Sequence, residues 1–230
     1  MHALVGNAPL LMAGAVAGAA LAFLLGCKRS SSTREVWPAK EDVPEAAAKL
    51  QVAKGAKHYG VELDHMDEAS LMAGFEEALK IAGKVDILIY NGLQGIEAAQ
   101  GKKLDIATTF NDFAKQQTNN AGYFVLARCL RNHVVSRGIE GAVINIVSMY
   151  GQVASYLDAY AGLPYSSPVS YHSLKGGTIH LTRHLAAYWA ADGVRVNCLS
   201  PGAFPRADRP TSSYYKAEDK ASNEADGAAS

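Results

Sequence analysis

The middle of the chain alternates short apolar runs with longer segments whose apolar residues recur at helical spacing. Residues 85–90 are almost continuously apolar, as expected for a strand buried on both faces. Other strands are predicted over 58–63, 142–147 and 194–200. Helices are predicted over 67–83, 106–135 and 171–190, with Asp67 as the cap of the first and Gly83 at its end.

Buried strands that alternate with helices of this length imply right-handed crossovers and a parallel sheet. The predicted fold class is therefore α/β, a Rossmann-like doubly wound sheet in three α/β/α layers, incomplete at one or both ends. In such sheets ligands bind beyond the carboxyl ends of the strands. Asn91, Ser148 and Pro201 each follow a predicted strand directly, which places three candidate site residues on one rim.

An apolar segment precedes this region. Residues 9–26 form a run of eighteen positions without a charge, and Lys28 and Arg29 follow it. The length suits a membrane-spanning helix, and the spacing of Gly14 and Gly18 lets such helices approach closely. The basic pair would place the following domain in the cytosol. The first interpretation is therefore a membrane anchor.

Two alternatives to the anchor stay open. In the first, the same residues form a buried helix after a short strand, with Asn7 as the helix cap, so that residues 1–28 are an abnormal first strand-helix unit. In the second they are a signal or lipoprotein leader. The location is accordingly either membrane-anchored with a cytosolic domain, or cytoplasmic.

The bulk composition limits the function classes. A length of 230 residues suits one domain, expected over 29–205, with a polar and disordered tail over 206–230. The 22 basic and 22 acidic residues balance, which argues against a nucleic-acid partner. Cys27, Cys129 and Cys198 fit no disulfide framework and no zinc spacing, so a reduced compartment and no metal are expected.

The segment Ser170–Gly177, with the sequence SYHSLKGG, carries the most specific chemistry. Tyr171 and Lys175 lie four residues apart near the start of a predicted helix, so their side chains share a face. An ammonium one turn away and the positive helix end both favour the phenolate, so the pKa of Tyr171 is expected to fall towards neutrality. The pair is thus a candidate acid/base.

Two further polar residues support this interpretation. Ser148 stands at the carboxyl end of a predicted buried strand, where its hydroxyl can bond a substrate oxygen. Asn119 lies inside a long predicted helix, where an amide is a poor helix former unless something recruits it.

With these residues in view, the chain resembles the short-chain dehydrogenase/reductase family. The matching motifs extend over residues 61–205 in the family's order. They are ELDHMDEAS with Asp64, DILIYNG with Asn91 and Gly92, NNAGYF with Asn119, INIVSMYG with Ser148, YHSLKGG with Tyr171 and Lys175, and RVNCLSPGAFP with Pro201 and Gly202.

The resemblance implies a role for each residue. Tyr171 exchanges a proton with a carbonyl or alcohol oxygen, Lys175 lowers the Tyr171 pKa and holds the nicotinamide ribose, and Ser148 steadies the reacting oxygen. Asn119 holds a water that links Lys175 to solvent. Asp64 meets the adenine ring, and the other motif residues, Asn91, Gly92, Pro201 and Gly202, contact the cofactor, which is NAD or NADP.

The sequence also departs from the family pattern. The glycine-rich turn after the first strand is absent, and that turn lets the backbone approach the pyrophosphate. The chain is expected to stop before the family's last strand. Twenty-three positions separate Ser148 from Tyr171, and this long loop, with Tyr156, Tyr160, Pro164 and Pro168, is expected to shape a substrate pocket. Arg29 and Ser30 would suit the 2′-phosphate of NADP, although a solvated or membrane-flanking basic cluster is the favoured interpretation.

The expected function is therefore an NAD(P)-dependent oxidoreductase that interconverts a secondary alcohol and a carbonyl. The alternative is a catalytically impaired or truncated member of the family with a binding or vestigial role. The expected partners are a small-molecule alcohol or carbonyl substrate and a second copy in a homo-oligomer, with membrane attachment through residues 9–26.

Overall fold

The computed structural model describes residues 10–16, 19–26, 57–93, 108–156 and 167–202. The chain order of the elements is β1 (Leu10–Val16), β2 (Ala19–Gly26), β3 (Lys57–Glu62), α1 (Glu68–Ala82), β4 (Ile87–Tyr90), α2 (Phe110–Arg137), β5 (Gly141–Ile146), α3 (Val169–Trp189) and β6 (Val194–Leu199). Short 3-10 helices cover Met149–Gly151 and Ala190–Asp192.

The strands form one six-stranded sheet in the order β3-β2-β1-β4-β5-β6. Strands β2 and β3 are parallel, as are β4, β5 and β6, whereas β1 is antiparallel to both β2 and β4. Five strands therefore point the same way, and their carboxyl ends meet at one rim. This spatial order is that of a doubly wound sheet, and it confirms the predicted fold class.

The three described helices cover one face of the sheet. α2 packs against both α1 and α3, and it lies over β4 and β5. The crossovers from β3 to β4, from β4 to β5 and from β5 to β6 all advance in the same direction across the sheet. Because such crossovers are right-handed, their helices lie on the same face. The core lies between this layer and the sheet and includes Leu88, Leu126 and Leu130, each fully buried. The predicted layer on the opposite face falls outside the described residues.

The helix boundaries follow from local capping. Asp67 accepts a hydrogen bond from Ser70 N at 2.7 Å at the start of α1, and Gly83 ends that helix at a φ of 75°, both as predicted. α2 begins at a capping box in which Thr109 and Asp112 bond reciprocally, four residues later than predicted. It ends at Gly138, with a φ of 64°.

The prediction of a single helix over residues 9–26 is wrong. The segment forms β1 and β2, paired antiparallel with Leu10 opposite Leu24 and Val16 opposite Ala19. An apolar run without period fits two strands as well as one helix, because strands inside a sheet bury both faces. β1 and β2 fill the sheet between β3 and β4. None of the helices in the described part of the chain combines the length and apolar character needed to cross a membrane.

Several predictions fall on residues outside the described ranges. They concern the cap at Asn7, the basic cluster with Arg29 and Ser30, the loop positions Tyr160 and Pro164, and the polar tail. These remain predictions.

Gly122 is expected to be a packing requirement of α2. A Cβ at this position would lie 2.5 Å from the backbone oxygen of His65 and 2.7 Å from Tyr90 Oη. Gly122→Ala should therefore lower the free energy of unfolding by about 2 kcal/mol, because overpacking forces backbone shifts. Gly176→Ala is the control, since its Cβ would meet only Gly151 O at 3.5 Å, an ordinary contact.

Urea unfolding of both variants measures this difference. The control should be stabilised by about 0.5 to 1 kcal/mol, the usual gain of alanine over glycine inside a helix. Equal effects of the two substitutions would contradict the assigned contact.

Candidate active site

The rim at the carboxyl ends of β4, β5 and β6 gathers most of the predicted site residues. Asn91 and Gly92 follow β4, and Ser148 lies two residues beyond the end of β5. Two backbone bonds join the ends of β5 and β6: Val147 N donates to Leu199 O at 2.8 Å, and Met149 N donates to Pro201 O at 3.0 Å. The loop with Pro201 is thereby fixed beside Ser148, as expected for neighbouring parallel strands.

Ser148 is held in one orientation by the turn that follows it. It caps the short 3-10 helix, and its hydroxyl oxygen accepts a hydrogen bond from Tyr150 N at 3.2 Å. Its side chain is buried and is also hydrogen-bonded to the hydroxyl of Tyr171. The structure thus brings together two of the predicted catalytic residues, from β5 and α3.

The pKa of Tyr171 departs from its ordinary value in the direction opposite to that expected from the sequence. Burial is the largest cause and raises the pKa, the hydrogen bond from Ser148 lowers it, and the nearby Tyr150 raises it. The Lys175 ammonium does not offset the burial; although it lies beneath the Tyr171 ring, its hydrogen bonds go to Tyr123 Oη and Ile146 O and not to the Tyr171 hydroxyl. In this state the phenol of Tyr171 therefore keeps its proton at neutral pH.

Lys175 is almost completely buried, with an exposed fraction of 4%. Its Nζ donates to Tyr123 Oη at 3.1 Å and to Ile146 O at 3.0 Å. Nζ lies 5.8 Å from the centroid of the Tyr171 ring. Burial lowers the pKa of Lys175 to about 8. An ammonium carries three donor protons, so one remains for a ligand after these two described bonds.

Small residues allow α3 to approach the rim this closely. A Cβ on Gly151 would lie 2.7 Å from the carbonyl group of Lys175, and one on Gly177 would lie 2.9 Å from Asn120 Nδ2. Gly177 thus lies close to a side chain of α2, whereas the Cβ of Gly176 would make an ordinary contact.

Asn119 is fully buried in α2, and its side chain is tied to the loop after β3. Its Oδ1 accepts from His65 Nε2 at 3.0 Å, and its Nδ2 donates to Gln116 O at 2.9 Å. Burial lowers the pKa of His65, so the imidazole is neutral and carries its proton on Nε2. This bond explains the amide inside the helix; a water held by Asn119 stays a prediction.

Asp64 lies directly beyond Leu63, at the same rim as the other strand ends. Its carboxylate accepts from Met66 N at 2.9 Å, and its own N–H donates to Ser70 Oγ at 2.8 Å. The half-buried Asp64 is thus fixed in a tight turn between β3 and α1. At the other end of the rim, a Cβ on Gly202 would meet Met149 Sδ at 3.8 Å and no other described atom within 4 Å.

The direction of β1 bears on the missing glycine-rich turn. Because β1 is antiparallel to β4, its first residue and not its last lies beside the end of β4, with Leu10 opposite Ile89. β1 continues into β2, so within the described residues no helix N-terminus follows β1 at the rim. Within the described residues, Lys175 therefore offers a donor for a ribose hydroxyl, whereas no helix N-terminus after β1 offers backbone donors to a pyrophosphate.

Sequence reasoning missed two parts of this site. Tyr123 touches Lys175, and the signal was available: Tyr123 follows Asn119 by one helical turn and so shares its face. The rings of Tyr150 and His172 stack with centroids 4.7 Å apart, and His172 Nε2 bonds Ser155 Oγ at 2.8 Å. No pattern in the sequence links these last residues, because the fold alone brings them together.

Comparison with known proteins gives a consistent result. A family model described as short chain dehydrogenase matches residues 11–211. Glucose 1-dehydrogenase 2 of Bacillus subtilis is 31% identical over 66% of this chain and 55% of that enzyme. The peroxisomal 2,4-dienoyl-CoA reductase of Rattus norvegicus is 32% identical over 70% of this chain and 50% of that enzyme.

A solved structure shares the fold. The short chain dehydrogenase of Leptospira borgpetersenii, crystallised with bound NAD+, is 26% identical and superposes with a TM-score of 0.58 over 70% of this chain and 59% of that chain. The present chain therefore spans little more than half the length of these relatives. From the extent of the family match, the chain belongs to the short chain dehydrogenase family.

Proposed function

We propose that the protein is an NAD(P)-dependent oxidoreductase that interconverts a secondary alcohol and a carbonyl, with Tyr171 as the acid/base. The observation that carries the proposal is the contact between the Ser148 and Tyr171 hydroxyls, with the Lys175 ammonium beneath the Tyr171 ring. Family membership supports a nicotinamide dinucleotide as the redox partner.

The raised pKa of Tyr171 favours the reductive direction at neutral pH. A protonated phenol can donate its proton to the oxygen of a carbonyl as that oxygen gains negative charge. Ser148 can share a hydrogen bond with the same oxygen and hold it within reach of Tyr171. A bound nicotinamide supplies the hydride in this direction and accepts it in the other. Oxidation needs the phenolate and should therefore increase with pH.

The cofactor would be held along the rim. Lys175 would give its remaining donor to a ribose hydroxyl, and the nicotinamide end would contact Asn91, Gly92, Pro201 and Gly202 at the strand ends. Asp64 lies at the end suited to adenine, where its carboxylate can accept from an exocyclic amine. Asn119 supports this arrangement through His65, which belongs to the same loop as Asp64.

The second candidate is a catalytically impaired member of the family, with a binding or vestigial role and no turnover. The observation that favours it is the direction of β1, which replaces the usual strand-turn-helix at the phosphates with a strand pair. A pyrophosphate without backbone N–H donors at a helix N-terminus is held less tightly. In this case the catalytic residues would be present, but no reaction would occur because the cofactor is not bound tightly enough.

Titration with NADH and NADPH, followed by cofactor fluorescence, distinguishes the two candidates. We expect saturable binding of at least one of them to the full chain. We also expect the protein to oxidise the bound reduced cofactor in the presence of some members of a panel of ketones, which are reduced to secondary alcohols. Absorbance of the reduced nicotinamide measures the turnover.

Binding of neither cofactor at millimolar concentration would favour the second candidate. Binding without turnover across the panel, at neutral and at alkaline pH, would also count against the oxidoreductase.

A further inference from the structure

Tyr123 lies in the middle of α2, and its hydroxyl contacts two groups of the site. Tyr123 Oη donates to Ile146 O at 2.9 Å, and Lys175 Nζ donates to the same phenolic oxygen at 3.1 Å. Lys175 Nζ also donates to Ile146 O at 3.0 Å. The hydroxyl, the ammonium and the carbonyl thus form a closed triangle of hydrogen bonds at the end of β5.

The Lys175 ammonium lies beside two phenol rings. Its Nζ is 5.4 Å from the ring centroid of Tyr123 and 5.8 Å from that of Tyr171. The Tyr123 ring is held in turn by Tyr90, with the two centroids 4.0 Å apart. The ammonium is therefore hydrogen-bonded to Tyr123 of α2 and lies beside the ring of Tyr171, which belongs to its own helix α3.

A buried ammonium requires hydrogen-bond acceptors, because transfer out of water is costly for a charge. Among the described residues no carboxylate forms an ion pair with Lys175; the titratable groups that face it are Tyr123 from α2 and Tyr171 from its own helix. In the described part of the chain, Lys175 therefore donates to the Tyr123 hydroxyl and to the backbone carbonyl of Ile146.

Tyr123 is suited to be a constant acceptor. Burial, with a smaller effect from the neighbouring Tyr171, raises the pKa of Tyr123, so it keeps its proton over the whole working range of pH. That proton is directed to Ile146 O, which leaves the oxygen lone pairs directed towards Lys175.

We propose that Tyr123 is a positioning residue for Lys175: its hydroxyl keeps the ammonium charged and in place beneath Tyr171. Tyr123 acts on the proton transfer through Lys175 and does not touch the substrate. The inference rests on the proposed function, because the proton transfer that it supports is that of Tyr171.

The variant Tyr123→Phe tests this role, since it keeps the ring and removes only the hydroxyl. The Lys175 pKa is about 8 in the intact protein. It should fall by about one further unit in the variant, because the loss of a hydrogen bond to a charged group disfavours the charged form. Nitrogen NMR of labelled lysine side chains, without cofactor or substrate, measures this shift; the spectrum of Lys175→Met assigns the signal.

Turnover gives a second measurement. Reduction needs the protonated phenol of Tyr171 above a charged Lys175, so the alkaline limit of high kcat in the reductive direction should move to lower pH in Tyr123→Phe. We expect kcat at neutral pH to fall by about tenfold and KM to change less than about twofold. The matched control is Tyr188→Phe, which removes a hydroxyl from an exposed ring of α3 and should change neither quantity.

The outcomes separate the inference from the proposed function. An unchanged Lys175 pKa in folded Tyr123→Phe would overturn the inference, whether or not kcat falls. If the wild-type protein shows no turnover, the proposed function fails, while the NMR shift still tests the contact. If Tyr123→Phe does not fold, a fluorinated tyrosine at position 123, whose oxygen is a weaker acceptor, should give a smaller shift in the same direction; no shift would overturn the inference.

Discussion

Tyr171→Phe is expected to reduce kcat by about a thousandfold in both directions, the usual contribution of a positioned acid/base. The variant keeps the ring that lies over Lys175 and loses only the hydroxyl that bonds Ser148. Affinity for the nicotinamide cofactor should change less than about threefold, because the ribose contact comes from Lys175. Steady-state kinetics and a fluorescence titration of the same preparation measure the two quantities.

Three results bear on this expectation. Tyr188→Phe, on the exposed face of the same helix, should retain full activity, which controls for the loss of a tyrosine hydroxyl. Unchanged kcat in Tyr171→Phe would refute the role of Tyr171. A parallel loss of cofactor binding would show that the substitution disturbs the rim and not the proton transfer.

The second large effect concerns stability, and it follows from the buried Lys175. Its pKa falls from 10.5 to about 8 on folding, because burial disfavours the charged form. Between these pH values the unfolded chain binds a proton that the folded chain has lost. The free energy of unfolding should therefore rise with pH from 8 to 10.5 by about 3 kcal/mol on account of this residue. Below pH 8 the burial penalty is present in full.

The comparison with Lys175→Met isolates this contribution. Methionine is unbranched, apolar and close in volume, so it can fill the same space without a charge. Urea unfolding at several pH values should show the wild-type protein gaining stability relative to the variant between pH 8 and 10.5. Tyr123 and Tyr171 are present in both proteins, so their contributions to the pH dependence of the free energy of unfolding should largely cancel in the comparison. Lys80→Met, which removes an exposed lysine of α1, should leave the pH dependence unchanged. Parallel curves for wild type and Lys175→Met would contradict the assignment.

Much of the fold was accessible from hydrophobic periodicity. The type and chain order of β3, α1, β4, α2, β5, α3 and β6 follow from apolar runs and helical spacing, and most of their ends lie within about two residues of the prediction. The start of α2 differs from the prediction at Ile106 because a capping box of Thr109 and Asp112 begins the helix later. That signal is local and was present in the sequence.

The N-terminal segment was missed for a different reason. Its residues are apolar at every position, so they carry neither the period of a helix nor that of a strand. Only the sheet decides between them, because a strand pair there lies between β3 and β4 and gains partners on both sides. Long-range pairing of this kind is not encoded in the spacing of residues along the chain.

The site, like the fold, was predictable only in part. The spacing of Tyr171 and Lys175 placed them on one face of α3, and the expectation that site residues follow the carboxyl ends of strands placed Ser148 near them. The direction of the Tyr171 pKa depends on how deeply the phenol is buried and on where the Lys175 donors point. The Lys175 donors point to Tyr123 and Ile146, which lie about 50 and 30 residues away in sequence, so no local pattern reveals their direction.

The hydrogen bonds that join the ends of β5 and β6 have an evolutionary consequence. The turn that presents Ser148 is anchored by the Met149 to Pro201 backbone bond, by Gln152 Nε2 on Ser200 Oγ at 2.8 Å, and by the close approach of Gly151 to α3. Substitutions that leave these three anchors intact should keep the reactive hydroxyls aligned, so directed evolution of new specificities can be aimed at the other positions of the loop that the sequence predicts to shape the substrate pocket.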